Sequence, residues 1–422
     1  MNTKYGKYKN TKLFWLGKIP ESWELVRFKN LAIIKNGKDQ KEVLIEEGGF
    51  PIFGTGGEFG RATQFLYDQP SVLLGRKGTI NKPQFVEEPF WTVDTLFYTE
   101  IRNDVNPKYL FYISQIMPFD LLQESSAVPS MTQEKLRNVF LCKPTINEQT
   151  QIARYLDYQC TIIDDLISKK EQLIERLQEL RQATINEAVT RGLDPKTKMK
   201  ESGIEWLGEY PSSWNLTQLR HLISKAGSGV TPRGGAEVYT DEGVIFIRSQ
   251  NVHFDGLRLD DVVKIDPEIH SKMSGSRVSQ NDVLLNITGA SIGRCCVVTI
   301  DKEMNVNQHV CILRSNGKIL PEYLNLVLQS NIGQLQVKNG ATGGNREGLT
   351  LEALKEFIIP VPEVTIQADL VSKVTSSINE LVALVKMNIQ QIDNLKEYRQ
   401  SLISEAVTGK IDVREWRPSY KI

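Results

Sequence analysis

The chain has 422 residues, 40% hydrophobic and 24% charged, enough to bury more than one core. At roughly 150 residues per domain, two to three domains are expected. Lys plus Arg (51) equals Asp plus Glu (51), so the formal net charge is zero and no bulk field advertises a nucleic acid or a membrane; any basic surface has to be local.

The first ten residues are polar and lysine-rich with no apolar stretch behind them, and no uncharged apolar run approaches the roughly 18 residues of a membrane span. A soluble, cytoplasmic protein without a membrane partner is expected. The five cysteines, Cys142, Cys160, Cys295, Cys296 and Cys311, form no CxxC pair and are odd in number, which suits neither a zinc site nor a disulfide framework. They read as reduced, mostly buried apolar residues.

From its first elements onward the chain repeats itself. WLGKIPESWEL at Trp15–Leu25 returns as WLGEYPSSWNL at Trp206–Leu216, an offset of 191. Later RQATINEAVTRGLD from Arg181 pairs with RQSLISEAVTGKID from Arg399, and Pro144 with Pro362, an offset of 218. The second copy is therefore 27 residues longer. Between these ends Leu73, Leu74 and Gly78 match Leu284, Leu285 and Gly289, while Pro107, Tyr109 and Leu110 match Pro321, Tyr323 and Leu324.

Each copy runs through short β-rich segments broken by Gly and Pro, a helical stretch near Tyr109 or Tyr323, and a long segment free of Pro and Gly. In the second copy Val374, Ile378, Leu381, Val385, Asn388, Ile392, Leu395, Arg399, Leu402 and Ala406 keep an alternating 4,3 spacing, a heptad seam. Shifted by 218 the seam recurs from Leu156 to Ala188, with Lys170 and Arg181 at the polar positions. Gly192 and Gly409 are the expected stops. The expected organisation is a globular domain over 1–147, a helix over 148–192, a second globular domain over 193–364, and a helix with a tail over 365–422. Helices of about 40 residues are on the order of 60 Å long, and each must bury its apolar stripe. The simplest solution pairs them antiparallel as a spacer between the globular parts, in an α+β protein; the alternative is that they pack onto their own domains or dimerise between chains.

A spacer holding two similar but non-identical domains apart suits a long partner with two points of contact, as duplex DNA is. The repeated WLG…P…W entry, GGFPIFGTGGEFG from Gly48, SVLLGRKGTINKP from Ser71, WTVDTLFYT from Trp91, SGVTPRGG from Ser228 and the helix end ELRQATINEAVTRGLD from Glu179 together resemble the specificity subunit of a type I restriction-modification system. The resemblance covers nearly the whole chain. It implies two target recognition domains, each reading half of a split, asymmetric DNA sequence, with the helices setting the gap. It also implies two methyltransferase (modification) subunits as partners, and motor-nuclease (restriction) subunits recruited to them. S-adenosylmethionine, ATP and Mg2+ would then belong to those partners, and this chain would be a non-catalytic subunit with no cofactor of its own.

Basic and amide side chains on glycine-flanked loops are the candidates for DNA contact. In the first domain these are Arg76, Lys77, Thr79, Asn81 and Lys82, together with Arg61 after the glycine-rich GTGGEFG. Lysines can neutralise phosphates, and an arginine fork can engage a guanine edge. In the second domain they are Arg233 in TPRGG, the run Arg248, Ser249, Gln250 and Asn251, then Arg294, and Asn345 with Arg346 in ATGGNREG. Asn and Gln are able to pair bidentately with adenine.

Two readings from other classes compete: a coiled-coil scaffold whose domains bind proteins, and a hydrolase. GASIG at Gly289–Gly293 matches the GxSxG nucleophile pattern, with Ser291 as nucleophile, but that motif requires a strand, a sharp turn and then a helix. The β-like RCCVVTI follows instead, and the first copy has no serine there. The histidines, His221, His253, His270 and His309, show no metal spacing.

Overall fold

The structure is a computed structural model that describes residues 4–124, 127–232, 234–342 and 348–418. The chain folds as two units, one of Met1–Glu171 with Ile389–Ile422 and one of Gln172–Asn388. Each unit contains about half of either long helix.

In the first unit a four-stranded antiparallel sheet runs in the order Ala32–Asn36, Leu96–Ile101, Ser71–Gly75, Gln84–Val86. Every residue of SVLLG is buried, as its uninterrupted apolar character requires of a central strand. A second sheet orders Trp91–Thr92, Phe50–Gly54, Gly57–Ala62 and Leu44–Ile45, with the first two parallel.

The second unit repeats this frame. Its antiparallel sheet runs Ile223–Ser228, Val310–Ser315, Val283–Asn286, Cys295–Val297. In its other sheet Met304–Val306 is again parallel to a strand, Val244–Ile247. Gly75 faces Leu96 in one copy and Asn286 faces Val310 in the other, so the registers superpose. The longer second copy adds the hairpin Val252–His253 with Gly256–Leu257, the helix Pro267–Lys272 and the strand Arg277–Val278.

Matched residues do matched work. The helices Pro107–Ser114 and Pro321–Gln329 both carry proline in the first turn, where no amide hydrogen is needed. Their fully buried tyrosines each donate to a strand carbonyl, Tyr109 to Cys142 O at 2.9 Å and Tyr323 to Pro360 O at 3.0 Å. Gln149 donates to Pro144 O and accepts from Asn106 N at 2.8 Å, and Gln367 donates to Pro362 O and accepts from Leu320 N at 2.7 Å. Each buried amide thereby satisfies backbone groups that would otherwise be orphaned.

The long helices are Ile146–Thr190 and Val364–Val407. A capping box opens the first: Thr145 N donates to Glu148 Oε2 and Glu148 N to Thr145 Oγ1. In the first unit Ile152, Leu156, Cys160 and Ile163 share one core with Leu402, Ile403 and Ala406. Asp164 pairs with Arg399, and Lys170 donates to Gln391, so here the two helices run antiparallel. In the second unit Ile185, Ala188 and Val189 share a core with Leu370 and Val374. The seam read from the sequence is the buried stripe at Leu156, Cys160, Ile163, Ala188, Val374, Ile392, Leu402 and Ala406.

Gly192 and Gly409 do more than stop the helices. Both are left-handed, at φ 73° and 69°. A Cβ on Gly192 would stand 3.3 Å from the Trp214 ring; one on Gly409 would stand 2.4 Å from Pro20 and 3.1 Å from Trp23, while Tyr8 donates to Gly409 O at 3.0 Å. Each helix end is thus seated on a copy of the WLG…P…W segment. The second helix ends on the copy near residue 20, within the first unit.

Candidate nucleic-acid interface

The same three chain segments converge at one edge of the frame in each domain. The first follows Phe50–Gly54 or Val244–Ile247, the second follows Ser71–Gly75 or Val283–Asn286, and the third precedes Leu96–Ile101 or Val310–Ser315. Backbone hydrogen bonds lock them together. Arg76 N and Lys77 N donate to Thr95 O at 2.8 and 3.2 Å, and the equivalent Ile287 N donates to His309 O at 3.0 Å.

In the first domain the backbone of the loop from Arg76 to Lys82 is held at several points while most of its polar side chains stay outside. Gly75 leaves no room for a side chain, since a Cβ there would lie 2.4 Å from Thr79 O. Ile80 is buried and anchors the loop, and Gly78 N donates to Pro129 O at 2.8 Å. Lys77, Thr79, Asn81 and Lys82 consequently stand exposed, and Arg76 is half-buried with Nη1 donating to Asp94 O at 3.2 Å. The structure brings these five together, beside the hairpin tip at Thr55, whose Oγ1 is 3.5 Å from where a Gly78 Cβ would be. It does not bring Arg61 to them. That residue sits four places along the strand from the tip at Gly57, about 13 Å at 3.3 Å per residue, paired with Glu58 at 2.9 Å.

In the second domain Ser249 and Gln250 form a single 3-10 turn with Asn251, and a cavity of about 610 Å³ opens between this turn and the loop Thr288–Arg294. Ser249, Gln250, Thr288, Ser291, Arg294 and His309 line it. Asn286, where the first domain has Gly75, ties the two loops together by donating to Ser249 O at 2.8 Å and Ser291 Oγ at 3.1 Å. His309 Nδ1 is hydrogen-bonded to the Thr288 hydroxyl, and Gln308 lies exposed beside it.

Asn251 drops out of the set. It is 2% exposed, accepting from Arg248 N at 3.0 Å and donating to Arg258 O at 3.0 Å, so its amide builds the turn and has no face left for a base. Arg248 stands next to the cavity with its guanidinium 5.7 Å from the Tyr239 ring centre. Arg233, Asn345 and Arg346 lie outside the described residues. His309 and Gln308, which are not among the sequence candidates, stand at this edge because the strand register places them against Thr288; their alignment with Thr95 and Asp94, ahead of a matching strand, is the signal in the sequence.

Ser291 sits in a short 3-10 turn followed by the strand Cys295–Val297, so the strand, turn and helix of a nucleophile elbow are not formed. Its hydroxyl accepts from Asn286, and His309 is engaged by Thr288. Among the described residues no cluster of His, Cys, Asp and Glu suits a metal ion. Among the described residues no helix is long and apolar enough to cross a membrane.

One frame used twice, with its loop edges diverged and a long helix attached to each, defines a duplicated recognition protein. The family model described as "Type I restriction modification DNA specificity domain" matches residues 20–176 and again 211–394, and the chain belongs to that family. It carries two such DNA specificity domains in tandem. Among its relatives, the Type I restriction enzyme EcoBI specificity subunit of Escherichia coli is 25% identical over 357 residues, 82% of this chain and 74% of that one. The Type I restriction enzyme MjaVIII specificity subunit of Methanocaldococcus jannaschii is 22% identical over 416 residues, 94% and 95% of the two chains. The fold is shared with a chain from a structure concerned with assembly and conformational transition of the type I R-M system, at a TM-score of 0.70 and 14% identity over 92% of this chain and 98% of that one. The HsdS subunit from Thermoanaerobacter tengcongensis aligns at a TM-score of 0.50 and 14% identity, over 96% and 100%.

Proposed function

We propose that each domain reads one half of a split, asymmetric DNA target through its converged loops, and that the paired helices set the unread gap and dock two methyltransferase subunits. The observation that carries this reading is the contrast between frame and edge. Strand order, register, buried tyrosines and helix seats are the same in both domains, yet Arg76, Lys77 and Thr95 in one stand where Ile287, Thr288 and His309 stand in the other. A frame kept for assembly with edges varied for recognition yields two different half-sequences.

Arg76, Lys77, Thr79, Asn81 and Lys82 contact the first half; Ser249, Gln250, Arg294 and His309 contact the second, with Arg233, Asn345 and Arg346 as further candidates. Arg76 and Gln250 have the donor geometry for base edges, whereas the lysines suit phosphates. Methyl transfer and cleavage belong to the partner subunits, with motor-nuclease subunits joining the assembly, and S-adenosylmethionine, ATP and Mg2+ are theirs. The test is binding of the full chain, alone and with its modification subunits, to a randomised duplex library at several salt concentrations. The proposal expects salt-dependent binding with preference confined to two separated blocks; enrichment of one continuous block, or of none, overturns it.

A further inference from the structure

Arg181 and Arg399 occupy the same place in the two copies of the long helix, yet their surroundings differ. Arg399 faces Asp164 across the helix pair, with Nε 2.9 Å and Nη2 3.3 Å from the two carboxylate oxygens. The residue that corresponds to Asp164 in the second unit is Val382, so Arg181 has no such carboxylate. Its guanidinium donates through Nη2 to Gln329 Oε1 at 2.8 Å, and among the described residues it makes no ion pair. Burial pulls it below its ordinary value, opposed by the more distant Asp255. A partly buried cation with no carboxylate in ion-pair contact is a costly arrangement unless an anion completes it.

Arg181 opens onto a groove of about 660 Å³ that also holds Arg294, Arg258, Asn379 and Val382. Three guanidiniums face one carboxylate there, that of Asp255, which lies 3.6 Å from Arg258. Arg294 lines this groove and the cavity between the reading loops alike, so the two adjoin at this side chain.

We propose that Arg181 and Arg294 bind a phosphate of the DNA backbone in this groove, carrying the duplex from the reading loops of the second domain onto the long helix. This rests on the proposed reading of DNA by the second domain. The site is asymmetric by design of the sequence: Asp164 closes its counterpart on Arg399 and Val382 leaves this one open. It adds affinity to the complex without adding sequence information.

The test exploits that asymmetry. Val382→Asp supplies the missing carboxylate without deleting the arginine, at a residue 48% exposed and able to accept it; Val382→Asn is the uncharged control and Arg181→Gln removes the cation. Binding of the full chain to a duplex carrying its target and to a scrambled duplex is measured across a salt series. Val382→Asp and Arg181→Gln should each make the slope of log K against log salt shallower by about 0.9 on both duplexes, with the ratio between duplexes and the thermal midpoint of Val382→Asp unchanged, and Val382→Asn should keep the wild-type slope. Wild-type slopes in both charged variants overturn the inference. Loss of modification-subunit association with an unchanged DNA slope also overturns it and assigns the groove to a protein carboxylate. A wild-type chain that does not bind duplex DNA removes the proposed function, and this inference with it.

Discussion

Gly229→Ala isolates the scaffold beneath the second reading edge. Gly229 follows the strand Ile223–Ser228 at the point where the two sheets meet, and its N–H is shared between Asn307 O at 3.2 Å and Val310 O at 3.4 Å. A Cβ added there would lie 1.7 Å from Val306 O, where ordinary contact begins at 3.4 Å, so backbone must move by about 1.7 Å. That atom belongs to the strand leading into Gln308 and His309. Overpacking of this kind costs about 1–3 kcal/mol and the disturbed hydrogen bond about 1 kcal/mol more, giving about 2–4 kcal/mol in all. The corresponding residue in the first domain is Gly37, whose Cβ would lie 2.0 Å from Val93 O. Thermal unfolding should show a lowered transition for Gly229→Ala, and library binding should show loss of preference in one block only. Gly37→Ala should affect the other block, and Gly6→Ala, with nothing within 4 Å of the new carbon, should affect neither. Unchanged stability and recognition in Gly229→Ala would refute the reasoning.

Arg76→Ala should relax one half-sequence alone, by about 1–3 kcal/mol of discrimination at a single base pair; uniform weakening on every duplex would make Arg76 a phosphate contact. Insertion of one heptad at matched seam positions of both long helices should lengthen the gap and preserve both half-sequences, and altered half-sequences would exclude the spacer role. The five cysteines are buried, and burial pushes Cys142, Cys296 and Cys311 up to about 12 and Cys160 to about 11, from an ordinary 9.0. Their contribution to stability is fully present below pH 9 and is lost as pH rises toward those folded-state values, because the unfolded thiols ionise first. A thiol reagent at pH 8 should therefore label the native chain at none of the five and the denatured chain at all of them, while denaturation curves should show stability falling above pH 9; rapid labelling of the native protein would contradict this.

Much of this architecture is legible in the residues. A seam of period 3.5 can be buried only on a helix, so Leu156, Cys160, Ile163 and their counterparts announce the long helices before any contact is known. Tyr109 and Tyr323 are matched in sequence because each must satisfy a carbonyl of the strand that precedes a long helix. The loop from Arg76 to Lys82 could be read because charge and glycine are contiguous there. What could not be read depends on pairing between segments distant in sequence. Asn251 has the composition of a base reader, but the chain turns so that both ends of its amide meet backbone. His309 lies some 20 residues beyond Thr288 and reaches it only because Asn286 is opposite Val310. Gly409 reads as a stop, while its contact with Pro20 and Trp23, nearly 400 residues earlier, is invisible to any local pattern. Arg181 reads as a polar break in the seam; only the comparison of Asp164 with Val382 reveals a charge left open.

The most direct test of the account is to map methylated adenines in DNA exposed to this chain assembled with its modification subunits. Two different half-sequences separated by a gap of constant length are predicted, with Gly37→Ala and Gly229→Ala each erasing one of them. A single continuous recognition sequence, or two halves that change together in either variant, would contradict it.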